Sequence, residues 1–307
     1  NVGEINMRGL KWLLTGVLGF AVAVVIFSLT FGDKTPYSSL KVFSETFDGL
    51  EKTPISPADS TALFYAGWAK TSIIPSFPVP LAGYGQRIST GVRDTVYVKC
   101  FYFKKGTEQA VFFIFDLLIV PPELANLVFK KCREIGIKPE SVHFSATHTH
   151  SSVGGWSNTV GGELSMGKYD QRITAFLLEA ALRSLQKAMT SQDVCETGFI
   201  RSYAGNLMGN RITDRPFPID PWLRIVKFKQ KGGNTAAIIT FGAHPTCISS
   251  GDRQISSDYP GIICRNTEKS TASGVRDLDS ECGCWPIPVW KSERYRGRGE
   301  NGQTEKF

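Results

Sequence analysis

The run AVFFIFDLLIV, Ala110 to Val120, is almost wholly apolar, as a strand buried on both faces would be. The next segment, PPELANLVFKKCREIGI, places Leu124, Leu127, Val128 and Cys132 on one helical face. Pro121 and Pro122 suit its start and Gly136 its end. SVHFSATHTH then returns to strand character. Ala110 to Thr147 therefore reads as a β-α-β unit, and strands joined by such a crossover run parallel. The predicted class is α/β, a mixed β-sheet with flanking helices.

The flanking segments fit that class. LFYAGWAKTSII, from Leu63, reads as a strand, and PSFPVPLAGYGQR as a Pro/Gly loop. The residues DTVYVKCFYF and the apolar run form a hairpin around Lys104, Lys105 and Gly106. A second long helix is expected from Lys168 to Met189. Strands follow around ETGFIRSYAG and in WLRIVKFKQKGGNTAAIITFGAH, the latter a hairpin turning at Gly232-Gly233. A helix begins near SSDYPGIICRNTE, and beyond Ser270 neither periodicity persists.

The N-terminus carries WLLTGVLGFAVAVVIFSLTF, residues 12–31, without a charge. A helix of that length spans a hydrocarbon core of about 30 Å. Arg8 and Lys11 precede it and place the N-terminus in the cytoplasm. The run is longer than a usual signal-peptide core, and no clear small-x-small cleavage site follows. It reads as an uncleaved anchor, the alternative being a signal peptide and a secreted protein. The expected organisation is a cytoplasmic N-terminus (1–11), one transmembrane helix (12–31), a polar linker with one short helix (32–62), an extracytoplasmic catalytic domain cut short at its C-terminus (63–270) and an irregular tail (271–307).

Net charge is +7, with the basic residues spread along the chain and no aromatic-interleaved basic run, so no nucleic-acid partner is expected. The seven cysteines form no disulfide framework, and Cys282 and Cys284 lack the second pair of a structural zinc site.

Two of the four histidines, His148 and His150, stand in SATHTHSSVGGW at the end of the second strand of the β-α-β unit. Binding crevices of open α/β sheets form there. At i and i+2 on an extended segment both imidazoles point one way, so both could ligate one metal, or one could serve as acid or donor. A third, His244, ends another apolar strand in FGAHPT, and a Ser/Gly loop beside the pair admits a substrate. His143 lies within the strand, alternates against a buried face and reads as structural. H-E-x-x-H is absent, and Ser151, Ser152 and Val153 stand where a metallo-β-lactamase pattern needs Asp and His.

ATHTHSSVGGW resembles the T-H-T-H-S-x-x-G-G motif of the neutral, non-lysosomal ceramidases and their bacterial relatives. The likeness extends through AGWAKTSIIP, PLAGYGQR, TGVRDTVYVKCFYF, GNRITD and FGAHPTCISSGDRQISSDYPG, roughly Leu63 to Glu268. The resemblance implies a zinc-dependent amidohydrolase that cleaves the N-acyl amide of ceramide or a similar N-acyl lipid. It implies His148 and His244 as zinc ligands, His150 as an active-site residue beside the reacting groups, and Arg211 as a substrate contact. The family's G-D-V-S-P-N serine motif is missing from the sequence, as are segments resembling those that supply its glutamate and tyrosine ligands. The chain as written is therefore expected to hydrolyse amides poorly or not at all. The alternative is a membrane-anchored inactive or binding fragment of the fold.

Overall fold

The structure is a computed structural model that describes residues 7–28, 36, 39–52, 61–210, 219–272 and 281–285. Two compact units divide the chain, Asn1–Pro57 and Ala58–Phe307.

The first unit holds two helices. α1, Met7–Ser28, is 22 residues long, about 33 Å at about 1.5 Å per residue, and its apolar side chains are exposed. Its stretch Arg8–Ile26 is long and apolar enough to cross a membrane. It starts earlier than the apolar run suggests, because Met7–Lys11 continue the helix; residues 29–31 lie outside the described residues. α2, Lys41–Lys52, is the short helix expected between anchor and domain. Phe43 and Phe47 meet one turn apart at 4.6 Å, and Lys41 pairs with Glu45 at 3.0 Å.

The second unit is built on one sheet. Its elements in chain order are β1 (Phe64–Ser72), β2 (Gly91–Val92), β3 (Tyr97–Lys105), β4 (Glu108–Phe115), α3 (Pro122–Glu134), β5 (Val142–Ala146), α4 (Val160–Met166), α5 (Gln171–Thr190), β6 (Asp193–Tyr203), β7 (Trp222–Gln230), β8 (Thr235–Thr240), β9 (Gln254–Ile255), α6 (Asp258–Ala272) and β10 (Glu281–Trp285). The eight-stranded order is β10-β8-β7-β6-β1-β3-β4-β5, with β2 and β9 forming a separate parallel pair. β4–β5 and β8–β10 are parallel and the remaining pairs antiparallel, so the sheet is mixed as expected. β1 and β6 join over only two residue pairs, Tyr65–Val194 and Ala66–Asp193, between two four-stranded halves.

The core explains the apolar strands. Val98, Cys100, Phe113 and Phe115 pack with Leu124, Val128 and Cys132 of α3 and Ile173, Leu177 and Leu185 of α5. Phe101, Ile114 and Ala66 belong to a second cluster with Phe228. β3 and β4 are thus covered on both faces and show no alternation. Asp170 caps α5 by accepting from the Arg172 amide at 2.9 Å, which starts that helix after Lys168. Gly136, at φ 80°, closes α3 with the Ile137 amide on the Cys132 carbonyl.

Three expectations change. The run to Val120 leaves the sheet at Phe115, because Asp116 needs polar partners: its carboxylate accepts from Lys99 Nζ at 2.7 Å and from the Tyr97 amide at 2.8 Å. The strand expected through His150 stops at Ala146, where the Thr147 amide makes a last bond to the Phe115 carbonyl. His143 is exposed on β5 and stacks on Phe112 at 4.7 Å, on the solvent side rather than against a buried face. α4 has the sequence VGGELSM, whose lack of an apolar period gives no helix signal.

Candidate metal centre

The turn after β5 carries the first two histidines. His148 has φ 60°, a left-handed conformation uncommon for a residue with a Cβ and concentrated at functional sites. The two rings therefore converge through a turn and not along an extended strand. The intervening residues face inward: Thr147, Thr149, Ser151 and Ser152 are fully buried, while both histidines are half-buried. Thr149 Oγ1 donates to the Ser256 carbonyl at 2.9 Å, and the Ser256 amide donates to the Ser151 carbonyl at 2.7 Å. These bonds fix the turn against the segment that leads into α6.

Each ring is held from behind. His148 Nδ1 lies 2.7 Å from the Leu118 carbonyl, just beyond β4, and His150 Nδ1 lies 3.2 Å from the Gly83 carbonyl. A carbonyl only accepts, so both Nδ1 atoms carry a proton, the tautomer that in a neutral ring leaves the lone pair on Nε2. Gly83 has φ 105°, and a Cβ there would stand 2.5 Å from His150 Nδ1; only glycine brings the carbonyl this close. The Tyr84 ring lies against the His150 ring, with centroids 4.8 Å apart.

His244 comes from the loop after β8, and the start of α6 holds that loop. Tyr259 Oη donates to the Ala243 carbonyl at 2.5 Å, and the Asp258 carboxylate accepts from the Ile248 amide at 3.1 Å.

The three rings form a near-equilateral triangle, with centroids 5.2 Å (His148–His150), 5.0 Å (His148–His244) and 4.8 Å (His150–His244) apart. One nitrogen from each lies within 4.8 Å of the others, and His150 Nε2 stands 2.8 Å from His244 Nε2. Burial, then the neighbouring His244 and His148, push the His150 imidazole down to about 4. It is neutral at pH 7 and keeps its lone pair. Neutral imidazoles with Nδ1–H bound to carbonyls are the donor form and outer-shell pattern of a zinc-type site, so the residues fit such an ion.

The sequence marked the three histidines but not Gly83, Tyr84 or the Leu118 carbonyl behind them. Arg211 lies outside the described residues.

The family "Neutral/alkaline non-lysosomal ceramidase, N-terminal" matches residues 66–281. The neutral ceramidase of Pseudomonas aeruginosa is 26% identical over 150 residues, 45% of this chain and 22% of that protein. Among solved structures, a ceramidase complexed with C2 superposes with a TM-score of 0.64 at 20% identity, covering 74% of this chain and 38% of the other. The crystal structure of the Pseudomonas aeruginosa neutral ceramidase gives 0.59 at 18% identity, again over 74% and 38%. The chain thus spans about a fifth of the length of the curated relative and under two fifths of each solved one. With the family matched over most of the sequence, the chain belongs to the neutral/alkaline non-lysosomal ceramidases, in their N-terminal region.

Proposed function

We propose that the fold serves zinc-dependent hydrolysis of the N-acyl amide of ceramide or a similar N-acyl lipid. His148 and His244 hold the metal. When bound, a zinc ion polarises an amide carbonyl and lowers the pKa of the attacking group. The Leu118 carbonyl keeps the His148 proton on Nδ1 and so turns Nε2 toward the ion. His150, neutral and steadied by Gly83 and Tyr84, accepts a hydrogen bond at Nε2 from the attacking group. Arg211 contacts the substrate. The observation that carries the reading is the convergence of three half-buried imidazoles with two Nδ1 atoms locked by carbonyls.

In this reading residues 63–270 form the N-terminal part of a catalytic domain, residues 12–31 anchor it, and the domain lies on the extracytoplasmic side. An anchor beside the bilayer suits a lipid substrate.

A second reading is a membrane-anchored fragment of the fold that binds metal or ligand without turnover. One experiment separates the two: zinc affinity together with fatty-acid release from ceramide in mixed micelles, with and without chelator. Chelator-sensitive release supports the enzyme, and tight zinc binding with no release supports the fragment. His148→Ala and His244→Ala should each weaken zinc binding by about 100-fold or more, since each removes one of the two histidine ligands. Unaltered affinity in both variants would remove the site altogether.

A further inference from the structure

The metal reading leaves one question: what keeps the His148–His150 turn at the right distance from the separate loop that carries His244? A buried guanidinium spans the two. Arg87 Nη2 donates to the His150 carbonyl at 2.5 Å and to the Ala82 carbonyl at 3.2 Å. Its Nη1 donates to the Asp252 carbonyl at 2.7 Å and to the Ser250 carbonyl at 3.4 Å. The cation also lies 4.9 Å from the centre of the Tyr84 ring, the same ring that packs against His150. One side chain thus ties together the Gly83 loop, the histidine turn and the segment that follows His244. Its side chain is buried, and burial lowers its pKa, yet guanidinium stays charged at any ordinary pH. The charge therefore always faces these carbonyls. A planar fork with two donating ends matches carbonyls on opposite sides in a way that a lysine ammonium, a single point, does not.

We propose that Arg87 is the positioning residue of the histidine cluster, setting the separation of the His150 turn from the His244 loop and thereby the affinity of the cluster for a divalent transition-metal ion. It touches neither metal nor substrate and acts through backbone carbonyls. The proposal rests on the metal reading above, and its test separates the two.

The full chain in detergent micelles is titrated with Co2+, followed by its visible spectrum, for wild type, Arg87→Gln, Arg87→Lys and Ser89→Ala. Ser89 accepts from the Val79 amide at 2.9 Å in the same loop and serves as a purely structural control. In parallel, long-range nitrogen–proton spectra of the four histidines are recorded on metal-free protein labelled in its imidazoles. Both Arg87 variants should bind Co2+ about 10- to 100-fold more weakly, the usual effect of losing an outer-shell partner, and should shift the His150 signals. Ser89→Ala should do neither, even with a comparable loss of thermal stability. If Arg87→Gln does not fold, Arg87→Lys, which keeps charge and bulk, carries the comparison. Affinity within about threefold of wild type together with unmoved His150 signals overturns the proposal. If wild type itself binds no Co2+, the metal reading falls, and Arg87 stands or falls on the His150 signals alone.

Discussion

At the scale of single residues, positions around the site tolerate little change. Gly83→Ala would set a Cβ 2.5 Å from His150 Nδ1 in a left-handed backbone. Either the loop or the ring must move, and the expected loss is about 1–3 kcal/mol of stability. The midpoint of urea unfolding measures it, and the His150 signals should shift with it. An alanine variant as stable as wild type would contradict the close approach. Asp94 is a second such residue. Burial would raise its carboxyl, but Ser256 and Ser257, through hydroxyls and an amide, and the Arg265 guanidinium outweigh it and hold it below the ordinary value. A pKa lower in the folded than in the unfolded chain contributes stability that is present above about pH 4 and lost as pH falls through the folded value. Asp94→Asn should therefore lower the unfolding midpoint at pH 7 and flatten its dependence on pH below about 4. Parallel acid limbs in the two proteins would show that Asp94 does not carry the effect.

At the scale of elements, the pairing of β3 with the end of β4 rests on a buried ion pair. Lys99 and Asp116 are almost fully buried and meet at 2.7 Å. Removing one partner takes the close counter-charge from the other buried group, so Asp116→Ala should cost about 3–5 kcal/mol. Replacing both by apolar residues of similar volume should recover most of that loss, because the desolvation cost of each charge disappears with it. Chemical denaturation of the three variants checks this; a double variant no better than the single would mean that the polar pair itself fixes the strand end. The same pair explains why the apolar run stops being a strand at Phe115. The carboxylate of Asp116 takes the Tyr97 amide as a partner, and the chain then turns so that Leu118 offers its carbonyl to His148.

At the scale of the molecule, the apolar helix and the sheet domain are separate compact units. Membrane affinity should reside in the first. The full chain should stay in the membrane pellet after carbonate extraction, as a helix of about 33 Å through a core of about 30 Å would. Residues 58–307, which contain the described core clusters of the sheet domain, should remain in the supernatant with unchanged metal affinity. A pellet after removal of residues 1–57 would move the membrane affinity to the second unit, where Phe199, Ile200 and Tyr203 of β6 are exposed.

The sequence by itself determined what short windows encode. The helical face of Leu124, Val128 and Cys132 and the apolar runs on either side of it specify a parallel pair with a crossover, whatever lies elsewhere in the chain. The alternation in T-H-T-H is also local: both threonines are buried, Thr149 bonding the Ser256 carbonyl, and both histidines are half-buried. The roles of individual histidines came from resemblance to a family, not from spacing. Only the tertiary structure decided the rest. The left-handed backbone at His148, the Gly83 carbonyl behind His150, the Arg87 fork and the two-pair junction of β1 with β6 all depend on residues distant in sequence meeting in space. Such meetings follow from the packing of the whole sheet, and no local period or propensity carries them.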